Sequence, residues 1–497
     1  MIYTIIVIYS LLMVFILCFA FIQAHLIYHY LKAHRDKKYT EPKELTYYPH
    51  VTIQLPIYNE LYVVEGLLED CSKIDYPLDK LEIQVLDDST DETVELIANK
   101  VAEIQKRGID ITHVRRASRE GYKAGALKYG MQSCKGEFIA IFDADFLPEP
   151  DFLKRTVQLF DNENIGLIQT RWDHINRNYS RLTKSQAFGL DAHFTVEQTG
   201  RNSGGYFMNF NGTSGIWRKS CIEDAGGWQS DTITEDMDLS FRAQLKGWKF
   251  KYLEEVASPS ELPVTMDAWK SQQYRWNKGS AETTKKILGK VYASKISLAH
   301  KIHSTFHLLG NFNFVCVIST AILSVPLLYV KAKHPELKWF FELASICVIG
   351  FFILGLFYWI SNKRQSLHRE VNAVEFFVDF ILFLSTAMGM SLHNSLAFIS
   401  GLMGFKSAFV RTPKFHLLKG NRNWQTNKYV KINLKPITLL ELAAVAYFGY
   451  ALYLAFKLND FGLFPFHLML FFGFSYVVYF TFEESFEWGF FGKARNN

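Results

Sequence analysis

The chain predicts an α/β domain with a mostly parallel sheet, flanked by helical segments apolar enough to cross a bilayer. Three observations carry this. From Pro49 to roughly Ser258, short apolar runs alternate with amphipathic stretches, the pattern of strand, helix, strand in a parallel sheet. Apolar runs long enough to span, about 20 residues being needed, lie on both sides of that region. Each strand-like run in the middle ends in polar residues, where an open α/β sheet binds ligands.

Composition agrees. A chain of 497 residues exceeds one ordinary core. An aromatic content of 16% with 43 Phe, at a mean hydropathy of +0.01, averages a polar middle with strongly apolar ends. The net charge of +5 is small, and the basic residues cluster beside apolar segments, which argues against nucleic-acid binding. Six scattered cysteines, without a CxxC pair, read as core thiols in a reducing compartment.

The elements follow in order. Residues 1–31 are almost uniformly apolar and end in Lys32, Arg35, Lys37 and Lys38. They lack a basic n-region and a small-residue cleavage site, so they predict a transmembrane anchor with its basic end in the cytoplasm. Residues 49–290 form the central domain. Within it Val51 to Pro56 is a strand, Tyr62 to Lys73 a helix, Leu81 to Leu86 a strand, Ile139 to Phe142 a third strand, and Asp236 to Leu245 a helix. Residues 296–361 predict an interfacial helix and two crossings, 362–435 a cytoplasmic-side segment, and 436–497 two further crossings and a cytoplasmic tail. Basic residues flank Val374 to Gly404 on both sides, and Glu375, Asp379, His393 and Asn394 lie within it. That segment therefore makes no net crossing and is interfacial or re-entrant. Five net crossings result, with the N-terminus outside and the central domain in the cytoplasm.

Several clusters carry chemistry. Tyr58-Asn59-Glu60 and Asp87-Asp88 end strands and sit where a nucleotide would lie. Asp143 and Asp145 form a DxD pair whose carboxylates can face one Mg²⁺ or Mn²⁺, or merely a solvated turn. Lys123, between Gly121 and Gly125 at a helix start, suits a diphosphate or is an ordinary helix beginning. Thr234-Glu235-Asp236 opens a helix, with Thr234 a possible N-cap. There Asp236 either favours the helix dipole or takes a proton from an attacking hydroxyl. One such base without a second nucleophilic carboxylate means direct displacement with inversion. Gln272-Gln273-Tyr274-Arg275-Trp276 is an amphipathic stretch with a Trp anchor.

In that order the motifs resemble the inverting family 2 glycosyltransferases, in particular the processive cellulose-synthase-like branch. They run from Leu55-Pro56-Ile57-Tyr58-Asn59-Glu60 through Leu86-Asp87-Asp88-Ser89-Thr90, Lys123-Ala124-Gly125-Ala126, Asp143-Ala144-Asp145 and Thr234-Glu235-Asp236 to Gln272-Gln273-Tyr274-Arg275-Trp276. The stretches Phe210 to Arg218 and Asp224 to Trp228 are similar to the mannan (glucomannan) and xyloglucan-backbone synthase subgroups. The resemblance implies a Rossmann-like GT-A domain. It also implies a nucleotide-sugar donor, UDP-glucose or GDP-mannose, bound by Pro56, Tyr58, Glu60, Asp88, Lys123, Asp143 and Asp145. The acceptor would lie by Gly212, Thr213, Glu235, Gln272, Arg275 and Trp276. Phe409, Thr412 and Lys414 match the family's gating loop FxVTxK, with Arg411 in the Val position. The product implied is a β-linked, β-1,4 glucan or mannan exported through the membrane helices, with export or modification subunits as possible partners. A single hexose placed on a membrane lipid is the alternative, and a nucleotide-sensing transporter a more distant one. The membrane is a bacterial plasma membrane, or a Golgi membrane in a eukaryote.

Overall fold

The computed structural model describes residues 2–36, 47–365, 371–406, 411–414, 427–430 and 434–493. The basic residues expected at 37–38, much of the basic stretch between 406 and 435, and Phe409 lie outside the described residues.

The first helix, α1, runs over Ile2–Asp36, five residues past the predicted end at 31. The central domain then alternates as read: β1 Val51–Ile57, α2 Val64–Ser72, β2 Leu81–Asp87, α3 Thr93–Gln105, β3 Asp110–Arg115, α4 Tyr122–Gly130, β4 Phe138–Ile141, α5 Phe152–Val157, β5 Ile165–His174, α6 Arg181–Ala192, α7 Gln198–Ser203, β6 Gly215–Arg218, α8 Lys219–Asp224, α9 Glu235–Leu245 and β7 Lys249–Ser260. A π-helical turn, His193–Glu197, joins α6 to α7. Helix α2 starts two residues later than predicted. Tyr62 stands in a turn closed by Val63 N–H and Val64 N–H on Glu60 O.

The seven strands order as β3-β2-β1-β4-β6-β5-β7. All pairs are parallel except those of β6, which is antiparallel to both β4 and β5. One sheet face packs Ile53, Leu55, Ile83 and Val85 on Leu67 and Leu68 of α2 and Ile97 and Val101 of α3. The other packs Ile139, Ile141 and Trp217 on Leu127 of α4, Ile222 of α8 and Leu239 of α9. Burying each such aliphatic side chain stabilises by about 1.5–3 kcal/mol. Polar residues inside the sheet pair across strands, Thr52 Oγ1 with Glu82 at 2.6 Å and Gln54 with Gln84 at 3.0 Å, the partnering that buried polar groups require.

After β7 come α10 Met266–Ala293, α11 Leu298–Leu308, α12 Phe312–Lys333, α13 Lys338–Ala344, α14 Val348–Gln365, α15 Ala373–Gly389, α16 Ser391–Met403, α17 Ile437–Lys457 and α18 Phe464–Lys493. Among the described residues five segments are long and apolar enough to cross a membrane: Ile2–Arg35, Phe312–Lys333, Pro335–Gln365, Ile437–Lys457 and Phe464–Phe486. Helices α15 and α16 meet at a 48° bend, in the segment expected to make no net crossing. Small residues let these helices close up: a Cβ on Gly389 of α15 would lie 2.2 Å from the Gly473 carbonyl oxygen of α18.

Candidate active site

Strand register brings the motifs to one rim. Ile57 pairs with Asp87, so Tyr58 and Asp88 leave adjacent strands side by side. Gln54 pairs with Ile141, and Ile141 with Gly215. The loop before β6 therefore lies against the loop after β4, and Thr213 Oγ1 accepts the Asp143 N–H at 2.9 Å. The result is one cavity of ≈ 210 Å³ lined by Pro56, Tyr58, Glu60, Asp88, Lys123, Asp143, Asp145, Gly212, Glu235, Asp236, Gln272, Arg275, Trp276, Thr412 and Lys414. Sixteen described positions were expected to form the site, and only Thr213 stands behind the wall. It is fully buried, with its hydroxyl spent on the backbone of Asp143.

At one end Asp88 takes Arg116 in a bidentate pair, Nε at 2.7 Å and Nη2 at 2.6 Å. The Arg119 guanidinium lies 3.3 Å from the Tyr58 ring centre, within cation–π range. In the middle, Gly121 adopts the left-handed conformation at φ +70° and starts α4. Lys123 then reaches across to Asp143 Oδ1 at 2.5 Å and Gly212 O at 2.9 Å. Burial pulls the Lys123 ammonium down, but the carboxylates of Asp143 and Glu235 outweigh it and hold the group above its ordinary value. Asp145 is paired with Lys414 at 2.6 Å. Glu60 is paired with Arg411 at 2.6 Å. Burial nonetheless pushes the Glu60 carboxyl up to about 7, against the pull of Arg411.

Asp143 and Asp145 supply hard carboxylate oxygens, the donor set that Mg²⁺ and Mn²⁺ take. In this molecule each is held by an ammonium group, Lys123 and Lys414, so both positions favour positive charge. Among the described residues no third His, Cys, Asp or Glu joins them in a metal-holding group. Two carboxylates fit a cation whose other ligands are diphosphate oxygens and water.

Across the cavity, Thr234 occupies the N-cap position of α9 without capping it through its side chain. Its hydroxyl sits 3.0 Å from that of Thr283 on α10 instead. Asp236 Oδ1 accepts its neighbour's Met237 N–H at 2.7 Å. Gly212, at φ +83°, lies so close that a Cβ there would stand 3.1 Å from Asp236 Oδ2, and any side chain would block the carboxylate. Burial first, and the charge of Glu235 second, push the Asp236 carboxyl up to about 7; burial likewise raises Glu235. Arg275 donates from Nη2 to Thr412 Oγ1 at 2.6 Å, and burial lowers its guanidinium to about 10.

The cavity also contains residues that sequence reasoning passed over. Arg119 lines it, as do Trp172 and His174 on β5 and Asn211 beside Gly212; Arg411, noted in the sequence only as a departure from the loop pattern, lines it too. The basic run Arg115-Arg116-Ala117-Ser118-Arg119 at the carboxyl end of β3 was a readable signal for the first of these. Nothing local marks Trp172 or His174, which alternate along a strand like any residues facing one side.

Residues 49–279 match the family described as glycosyltransferase like family 2. Glucomannan 4-beta-mannosyltransferase 1 of Oryza sativa subsp. japonica is 40% identical over 347 residues, 65% of this chain and 65% of its own length. Glucomannan 4-beta-mannosyltransferase 9 of Arabidopsis thaliana is 38% identical over 402 residues, 77% of this chain and 71% of its own. The chain thus spans about two thirds of the length of these relatives. A mannosyltransferase from Pyrobaculum calidifontis, solved in complex with GDP-Man and Mn²⁺, superposes with a TM-score of 0.55 at 19% identity, over 81% of this chain and all of that one; this is a likeness of fold, and that fold is GT-A. The ordered motifs, the sheet that gathers them and these relatives lead to one statement: the chain belongs to glycosyltransferase family 2, in the cellulose-synthase-like branch that holds the glucomannan 4-beta-mannosyltransferases.

Proposed function

We infer that this protein is a membrane-embedded, inverting hexosyltransferase that extends a β-1,4-linked mannan or glucomannan from a nucleotide sugar. GDP-mannose is the first donor to test, because the relatives are named as mannosyltransferases. The observation that carries the reading is the position of Asp236. It is a half-buried side chain whose carboxyl is raised to about 7, in one cavity with the DxD pair, Lys123 and the Gln272, Arg275, Trp276 face of α10.

Each group then has a task. Tyr58 and Asp88 face the base and ribose, and Lys123 faces the diphosphate. Asp143 and Asp145 would hold Mg²⁺ or Mn²⁺, which when bound offsets charge on the departing diphosphate. Trp276 offers an aromatic face to the acceptor sugar. Asp236 takes the proton from the acceptor hydroxyl as that oxygen bonds to the anomeric carbon. The anomeric carbon–oxygen bond to the diphosphate breaks, and its electron pair leaves with the nucleoside diphosphate. A base with a pKa near the working pH is the effective choice for this step. The five apolar helices anchor the enzyme as a multi-pass membrane protein with the cavity on the cytoplasmic side, where they stand ready to export the chain.

The test is turnover by the purified, detergent-solubilised full chain with Mn²⁺ or Mg²⁺, offering radiolabelled GDP-mannose and UDP-glucose and sizing the product. The expected result is a polymer from GDP-mannose that an endo-β-mannanase digests. A glucanase-sensitive polymer from UDP-glucose would reassign the donor, and one hexose on a chloroform-soluble lipid would overturn the polymerase reading.

A further inference from the structure

Helix α10 carries Gln272, Arg275 and Trp276, and its first turns are locked by polar groups from the last two membrane helices. The Glu484 carboxylate of α18 accepts the N–H groups of Met266 and Asp267, the latter at 3.3 Å. Thr265 Oγ1 accepts the next N–H, that of Ala268, at 3.3 Å. A helix start leaves these donors without partners of its own, and here most of the capping comes from a residue more than two hundred positions away. One turn on, Lys270 Nζ donates to Glu441 Oε2 of α17 at 2.7 Å and to Thr481 Oγ1 of α18 at 3.1 Å. Glu441 is fully buried and Lys270 nearly so. The Lys270 carbonyl is itself bonded by His393 Nε2 of α16 at 2.9 Å.

Further along, α10 touches the catalytic loop. A Cβ on Gly279 would lie 2.5 Å from Thr234 Cγ2, so only glycine lets α10 press on the residue that precedes Glu235 and Asp236. Glu282 accepts the Ile233 N–H at 2.9 Å. From the other side Gly401 of α16 lets that helix close on the Lys278 backbone, its Cβ position being 2.4 Å from the Lys278 oxygen. The helix is therefore a rod fixed at its N-terminus in the membrane bundle. Five residues past Lys270 it delivers Arg275, at a rise of about 1.5 Å per residue.

A buried ion pair is a poor source of stability, since desolvating both charges offsets their attraction. Its directional geometry does fix the rotation and axial placement of a helix. We propose that Glu441 and Glu484 are positioning residues for transfer: through Lys270 and the first turn of α10 they set the place of Gln272, Arg275 and Trp276 against Asp236. The donor end of the cavity, on β1, β2 and β4, is outside their reach. This rests on the transferase reading above.

The readout is the partition of donor between transfer to acceptor and hydrolysis by water, alongside acceptor KM, nucleoside diphosphate binding and thermal melting of the purified full chain. Glu441→Gln and Glu484→Gln are expected to lower the transfer-to-hydrolysis ratio about tenfold or more, the penalty of a misplaced reacting group, with nucleoside diphosphate binding within about twofold of wild type. The paired variant Lys270→Met with Glu441→Leu separates positioning from stability, because an apolar pair of similar volume restores packing without direction. Positioning predicts a wild-type melting temperature with the ratio still low. A ratio that recovers together with melting would overturn the proposal, as would single variants that melt early yet keep the wild-type ratio. Should the wild-type chain turn over neither nucleotide sugar, the transferase reading fails instead.

Discussion

The two flanks of the cavity handle charge in opposite ways. On the flank proposed to hold the donor, four acids each have a cation at salt-bridge distance: Asp88 with Arg116, Asp143 with Lys123, Asp145 with Lys414, Glu60 with Arg411. On the flank proposed to hold the acceptor, among the described residues, Glu235 and Asp236 form no ion pair, and both carboxyls rise through burial. Trp172 and His174 on β5, which also line the cavity, have ring nitrogens with no hydrogen-bond partner among the described residues. Paired acids and bases can exchange partners when a charged ligand and its cation enter, at little net change in buried charge. Unpaired, desolvated carboxyls are suited to move a proton. The difference teaches that one flank is built for holding charge and the other for chemistry, and each prediction below breaks one flank alone.

The largest effect belongs to Asp236. Asp236→Asn keeps shape but removes the base, so transfer is expected to fall by about 10³-fold or more, while nucleoside diphosphate binding, measured by calorimetry, stays nearly unchanged. Loss of binding as well would make Asp236 a ligand. The same carboxyl sets the pH dependence. The base acts when deprotonated, so kcat/KM is expected to rise with pH through about 7. The stability sign is opposite: with a folded pKa above the unfolded value, the protonated carboxyl favours the folded state at low pH, and that contribution is lost as pH rises through about 7. In Asp236→Asn the melting temperature should lose this part of its fall with pH.

Lys123→Met attacks the donor flank. It removes the cation shared by Asp143 and the Gly212 carbonyl and the charge proposed to face the leaving diphosphate. We expect kcat/KM to fall by about 10²-fold, the scale of one lost electrostatic contact in the transition state. Donor KM should account for part of the loss, whereas Asp236→Asn should leave donor KM alone. Steady-state kinetics on both variants checks that contrast.

How far the sequence foretold this differs from flank to flank. The strands β1, β2 and β4 were legible because apolar runs end abruptly in acids, and parallel register then forces Tyr58, Asp88 and Asp143 together. The antiparallel β6, wedged between β4 and β5, was not, since four residues of Gly-Ile-Trp-Arg carry no sign of their direction or neighbours. Partner cations were the harder part. Arg116 carries no sign of its partner, and Arg411 reads only as a departure from the loop pattern, until the fold brings them over from 28 and 351 positions away from their acids. The anchoring of α10 was invisible for the same reason: Glu441 stands among apolar residues and Glu484 beside Glu483, where sequence shows a costly acid but not the group that it satisfies.

The smallest effect tests the residue that departs from the family's loop pattern. Arg411 lies 2.6 Å from Glu60 and over the Tyr429 ring at 4.3 Å, yet the pattern has Val there. Arg411→Val removes the cation that pulls the Glu60 carboxyl down, so that carboxyl rises further above about 7 and stays neutral at neutral pH. A neutral, buried Glu60 leaves no unpaired charge behind, and transfer near pH 7 is expected to stay within about threefold of wild type. Above that pH the variant must ionise Glu60 without a partner, close to the incoming diphosphate, and like charge then opposes donor binding. The donor KM of Arg411→Val should therefore climb with pH from about 7 to about 9 while that of wild type does not. A parallel pair of profiles would mean that Arg411 serves only to stack on Tyr429, and that Glu60 does not depend on it for charge.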